Sequence, residues 1–156
     1  MSKIETYKEV TAQICAVLDG EANLTAQMAT VSCLLADAFP ESFFWTGFYL
    51  VDPLKKDELV VGPYQGTLGC LRIAFGRGVC GAAAASGETQ IIEDVHKLEN
   101  HIACDSRSNS EIVVPVRDTS GALIAVLDVD STQFGAFDDV DKEGLENIVS
   151  QIFATS

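Results

Sequence analysis

At 156 residues, with a formal net charge of -13 and a pI near 4.3, the chain fits one domain burying about two thirds of its unfolded surface, so no disulfide scaffold is needed. Ten Lys and Arg together against 23 Asp and Glu exclude the clustered basic face that nucleic acid or an anionic membrane requires, and most of the acidic excess reads as a solvated surface. "MSKIETYKEV" carries charges where a secretory signal needs an apolar run, and no stretch approaches the roughly 20 apolar residues of a membrane span; the expected location is cytoplasmic, where five cysteines serve packing, metal ligation or redox chemistry.

Two helical patterns open the chain. Ile4, Tyr7, Thr11, Ile14 and Leu18 recur at helical spacing and stop at Gly20; Leu24, Met28, Val31, Leu34, Leu35 and Ala38 follow Asn23 and stop at Pro40. Cys15 and Cys33 lie beside these stripes and are expected to pack in or beside the core. From residue 43 the period changes: "FFWTGFYLVD" reads as a strand, "DPLKKDE" as a turn, and "LVVGPYQG" and "LGCLRI" as short strands. "GRGVCGAAAASG" reads as a short helix entered through glycines and ended at Gly87. A strand in "TQIIED", a long polar loop, and the strands "EIVVPV" and "ALIAVLDVD" joined by "RDTSG" come next. Asp138 caps a last helix with Val140, Leu145, Ile148, Val149 and Ile152 on one face.

Helices at both ends of mainly consecutive strands predict an α+β fold, an antiparallel sheet with the terminal helices packed on one face. The other face is left to hold a ligand under the loops around residues 62 to 80 and 94 to 110. Those loops carry Cys70, Cys80 and Cys104, each beside Gly or polar residues.

The intervals of nine and twenty-three residues between these cysteines do not match the close pairs of structural zinc, and His96 and His101 are only loosely placed as further ligands; alone they read as loop histidines exposed to water. A nucleophile with resolving thiols fits better, since it asks for cysteines on separate loops reachable by a small reductant. Asp105 and Glu111 beside Cys104 should raise its pKa, which disfavours ordinary thiol activation. Carboxylates beside a thiol suit a substrate whose oxygen must be protonated and which brings its own positive charge, and the sulfoxide of a free amino acid does both. Asp128 and Asp130 lie two apart on a strand, and Trp45 and Tyr49 four apart, so each pair shares a face. "FGRGVCG" lacks the Lys-Ser/Thr ending of a phosphate loop.

"GPYQG", "GCLRI", "GRGVCG", "HIACDSRSNSEIVVPV" and "LDVDS", in this order and spacing, closely resemble the free methionine-(R)-sulfoxide reductases, a GAF-fold family. The resemblance runs from the segment around Trp45 through the last helix. It implies one GAF-type domain over residues 1–156, with Cys104 as the attacking cysteine and Cys80 and Cys70 as the thiols that resolve the oxidised form. It implies that Glu111, Asp128 and Asp130 bind and polarise the substrate, and that Trp45 and Tyr49 wall the pocket, the tryptophan against the substrate methyl. "KLENHIACD" departs from the family in having Leu98, Glu99 and Asn100 where Phe-Pro-Gly is common.

The expected function is therefore thiol-dependent reduction of free L-methionine-(R)-sulfoxide through a sulfenic acid and an intramolecular disulfide, with thioredoxin or a comparable dithiol as reductant and no organic cofactor or metal. A homodimer through the terminal helices would suit the family. Glycines around "VCG" point to Cys80 as the first thiol to swing toward Cys104. The alternative is a non-catalytic GAF-type small-ligand or redox sensor, against which a single-domain length argues; a pure interaction module leaves the cysteines unexplained.

Overall fold

In the computed structural model, which describes residues 1–99, 101 and 104–155, the Ser2 hydroxyl accepts the Glu5 N–H at 3.2 Å and opens α1 (Lys3–Val17). Asn23 does the same for α2 (Leu24–Ala38), accepting the Ala26 N–H at 2.9 Å. Each satisfies one of the backbone donors that a helix start leaves unpaired. The apolar stripes then bury Tyr7, Val10 and Ile14 of α1, and Met28, Val31 and Leu35 of α2.

The six strands, β1 (Trp45–Asp52), β2 (Lys55–Gln65), β3 (Arg72–Ala74), β4 (Gln90–Ile92), β5 (Ser110–Arg117) and β6 (Leu123–Ser131), form one antiparallel sheet in the order β3-β2-β1-β6-β5-β4. Alternation of side chains divides its faces. Phe48, Ile112, Val114, Leu127 and Val129 point to the side covered by α1, α2 and α4 (Asp139–Phe153) and make the larger core with them. The opposite face carries Trp45, Tyr49, Val113 and Val126, and among the described residues it is covered by the short α3 (Gly78–Ser86), ended at Gly87, with Val79, Cys80, Ala83 and Ala84, and by loop residues that include Cys70 and Leu98. The terminal helices on one face and the loops on the other are as the patterns predict, and α+β is the observed class.

Several local expectations are corrected. Ile4 is 64% exposed, and the α1 stripe is completed by Val10 instead. Cys33 is exposed on the outer side of α2, because Met28, Val31 and Leu35 set the inward face; Cys15 is half-buried, its thiol donating to Gln151 Oε1 at 3.3 Å. The turn "DPLKKDE" shrinks to Pro53 and Leu54, and Lys55–Glu58 already belong to β2, whose charged side chains at that end face water. Of "LGCLRI" only Arg72 onward is strand. Residues 68 to 71 leave the sheet to cross its open face, with Leu68 and Leu71 exposed.

The first and last helices are tied by a buried acid. Asp141, 1% exposed, accepts the Tyr7 hydroxyl at 2.6 Å and Lys3 Nζ at 2.7 Å, and accepts the Asp138 N–H in a capping box. Asp141→Ala strands a phenol hydroxyl in the core and removes the cap, so the expected loss is about 2–4 kcal/mol of unfolding free energy, read as a lower denaturant midpoint. A shift under about 1 kcal/mol, the mean for an ordinary point mutation, would mean that Tyr7 finds another partner.

Candidate active site

On the open face the register brings distant residues side by side. In the β1–β6 ladder Trp45 pairs with Asp130 and Gly47 with Asp128; in the β5–β6 ladder Glu111 pairs with Asp130 and Val113 with Asp128. β6 therefore carries two aspartates between Trp45 on one side and Glu111 on the other. Trp45 stacks on Tyr49 with ring centroids 5.5 Å apart and on Tyr64 at 4.9 Å, a three-ring wall beside the acids. No local period marks Tyr64 as a wall residue; its position in "GPYQG", directly before the loop toward Cys70, is the one signal the sequence carries for it.

Glu111 and Asp128 are buried and Asp130 partly so. Loss of solvent is the main cause pushing all three carboxyls well above their ordinary range, and mutual repulsion adds to it: Asp130 acts on Glu111, Glu111 on Asp128, and Asp128 on Asp130. Each of the three therefore holds its proton more tightly than an isolated surface acid does. Asp128 Oδ1 is buried with no hydrogen-bond partner of good geometry, although the Asp128 carboxyl as a whole interacts with Glu111, Cys80 and Asp130.

Above this floor, Cys70 and Cys104 are joined as a disulfide with Cα atoms 5.6 Å apart, within the span such a bridge takes. Cys104 is exposed and Cys70 half-buried. Gly69 lets the Cys70 loop lie directly on the aromatic wall: a Cβ there would come within 2.8 Å of Trp45 Cζ2 and 3.2 Å of the Tyr49 hydroxyl. Ile102, Ala103 and Asn100 lie outside the described residues; Leu98 packs against the open-face cluster and Glu99 is exposed.

Cys80 does not fit the expectation of a swinging thiol. It sits in the first turn of α3, buried, with its Sγ 4.0 Å from Glu111 Oε2. Burial, followed by the Asp128 carboxyl, pushes its pKa well up, so it rests as a thiol. The neighbouring Gly81 serves close packing rather than motion, since a Cβ there would stand 2.5 Å from the Ala74 carbonyl oxygen. The bridged partner of Cys104 is Cys70.

Two further expectations change. Asp105 does not press its charge on Cys104 unopposed: Arg107 donates to both its carboxylate oxygens, at 3.0 and 2.7 Å, and holds its pKa below the usual carboxylate range. His101 is not a solvent-exposed loop histidine; its Nε2 lies 3.7 Å from Glu111 Oε1, and burial lowers its pKa. His96 is exposed and pairs with Asn109 Oδ1 at 2.7 Å. Among the described residues, Cys80, Glu111 and Asp128 offer ligand atoms within 4.8 Å of one another, the set that could hold a thiophilic divalent cation.

These groups line one cavity of about 50 Å³ between Trp45, Cys70, Cys80, Cys104, Glu111 and Asp128. The arrangement presents a bridged cysteine pair, a buried thiol, three carboxyls of raised pKa and an aromatic wall within one recess. It suits attack by sulfur on a small, cationic, oxygen-bearing substrate.

The GAF domain family pattern matches residues 8–154. The chain is 46% identical to the free methionine-R-sulfoxide reductase of Escherichia coli strain K12, over 97% of this chain and 89% of that protein. It is 37% identical to the reductase of the same name from Saccharomyces cerevisiae, over 97% and 86%. Its fold superposes with a TM-score of 0.92 on free methionine-R-sulfoxide reductase from Neisseria meningitidis in complex with its substrate, at 45% identity and covering 97% of this chain and 89% of that one. With the family pattern, these identities and the shared fold in agreement, this chain belongs to the GAF-domain family of free methionine-R-sulfoxide reductases.

Proposed function

We propose that this protein reduces free methionine-(R)-sulfoxide to methionine, with Cys104 as the attacking sulfur. The observation that carries this reading is the cluster of Glu111, Asp128 and Asp130 lining one cavity with the Cys70–Cys104 pair, each carboxyl with its pKa raised by burial. Cys104 attacks the sulfoxide sulfur while a carboxylic acid of the trio, Glu111 in our reading, protonates the sulfoxide oxygen. That oxygen ends on Cys104 as a sulfenic acid, so Cys104 loses two electrons and the substrate sulfur gains them. The Cys70 thiol then displaces the sulfenic oxygen as water and forms the disulfide, which thioredoxin or a similar dithiol reopens by exchange. Cys80, resting as a thiol beside Glu111, is the third sulfur of the site and stands in reserve behind Cys70.

Specificity follows from the same groups. The unpaired Asp128 Oδ1 faces the substrate ammonium with Asp130 alongside, and Trp45 and Tyr49 hold the methyl end. The test is to mix the pure protein with L-methionine (R,S)-sulfoxide, an equal mixture of the two sulfur epimers, and a dithiol and to measure methionine by chromatography. Half of the sulfoxide should be consumed, the remainder being the S epimer. A substrate blocked as the N-acetyl methyl ester leaves the buried acids without a counter-charge, and its kcat/KM should be lower by roughly 100-fold. Equal use of blocked and free substrate would remove the acids from ammonium recognition.

A further inference from the structure

Thr67, three residues before Cys70, and Asp105, next to Cys104, join the two loops that carry the disulfide: the Thr67 hydroxyl donates to Asp105 Oδ2 at 2.8 Å. Among the described residues this is the one side-chain hydrogen bond between those loops. Both of its ends are anchored. The Thr67 carbonyl accepts the Trp45 indole N–H at 2.8 Å, which fixes the Cys70 loop to the start of β1. Asp105 is held by Arg107 through its backbone N–H at 2.9 Å and its guanidinium at 3.0 and 2.7 Å. The same guanidinium lies 5.0 Å from the centre of the Phe44 ring, the residue before Trp45, a distance at which a cation is attracted to an aromatic face. The two cysteine loops thus converge on one short piece of sheet and are pinned to each other there.

We propose that Asp105, with Thr67 and Arg107, is a positioning residue for the resolving step, holding the Cys104 loop against the Cys70 loop before their sulfurs bond. The inference rests on the reading of Cys104 as the attacking cysteine. In that step the Cys104 S–O bond breaks, the S–S bond forms, and the hydroxyl leaves with the Cys70 proton as water, so no outside oxidant or reductant enters. A sulfenic acid left waiting is open to further oxidation that most cells cannot reverse. Two thiols on untethered loops meet at millimolar effective concentration, whereas oriented groups act as though orders of magnitude more concentrated. Attack on the substrate needs Cys104 over the acidic floor but does not need Cys70 nearby. The clamp therefore acts on the second step and not on the first.

The experiment uses full-length reduced protein, wild type and the variants Thr67→Val, Thr67→Ser and Asp105→Asn, each given one equivalent of methionine-(R)-sulfoxide without reductant. Methionine release, disulfide closure by mass after alkylation, and sulfenic acid captured by a cyclic 1,3-diketone are followed in time. Thr67→Val and Asp105→Asn should release methionine as wild type does, close the disulfide about tenfold more slowly, the effect of one lost charge-assisted hydrogen bond, and accumulate the diketone adduct. Thr67→Ser, which keeps the hydroxyl, should close at the wild-type rate. Closure at the wild-type rate in both disrupted variants, or slowing of methionine release by the same factor as closure, overturns the proposal. If wild type itself releases no methionine, the reductase reading fails and the clamp falls with it; if only the variants behave as wild type, the clamp alone falls.

Discussion

Cys104→Ser should release no methionine in a single turnover, whereas Cys70→Ser should release one equivalent and stop with Cys104 as a trappable sulfenic acid. A serine hydroxyl offers almost no nucleophile at neutral pH, and removing an attacking group costs on the order of 10⁴–10⁶ in turnover. Cys70 is half-buried in a loop and already spaced at 5.6 Å between Cα atoms from Cys104, so its loss is felt only after the oxygen has moved. Cys80→Ser should still form the Cys70–Cys104 bond. Measuring methionine, free thiols and the mapped disulfide in the same quenched samples separates the three. Methionine release by Cys104→Ser would transfer the attack to the buried Cys80.

Glu111→Gln carries the second large effect. Glutamine keeps the shape and a donor but has no proton to give, and the loss of a general acid costs about 10²–10⁴ in rate, or roughly 3–5 kcal/mol of barrier. The pH dependence identifies the acid. Burial and the charge of Asp130 raise the Glu111 pKa, so the protonated, competent form is present below that raised value. The first-turnover rate of wild type should fall as pH climbs through it, and this limb should vanish in the variant. Stability moves in the same window. A carboxyl whose folded pKa is raised binds its proton more tightly folded than unfolded, so its contribution is complete below the ordinary carboxylate pKa and is lost as pH rises through the folded one. Glu111→Gln should therefore melt higher than wild type in mildly alkaline buffer. First-turnover rates that match would move the proton to Asp128 or Asp130.

What the sequence made legible was whatever depends on spacing within one element. The stripe from Tyr7 to Leu18, the cap at Asp138, the helix ended at Gly87, and the shared faces of Trp45 with Tyr49 and of Asp128 with Asp130 all follow from local periods. What stayed hidden depends on register between elements. Nothing in "SEIVVPV" says that Glu111 will stand beside Asp130, because β5 and β6 must first be aligned, nor that β1 will bring Trp45 to the other side of the same residue. Loop chemistry was least visible. His101 against Glu111, and Arg107 between Asp105 and Phe44, arise from how a polar segment folds back on the sheet. The glycines beside Cys80 misled because close approach and chain mobility use the same residue type.

The disulfide over the acidic floor leaves about 50 Å³ beneath it, against roughly 300–1,000 Å³ for pockets that receive small ligands. If, as proposed, that bridge is what one turnover leaves behind, it also narrows the recess in which the next substrate must bind. On the proposed chemistry the oxidised protein has no room for a second sulfoxide until a dithiol cuts the bond. Oxidant and reductant are then obliged to take turns, each finding only the form of the enzyme prepared for it. A cell short of reducing equivalents would hold this protein shut and inert, with Cys104 bridged and protected from over-oxidation.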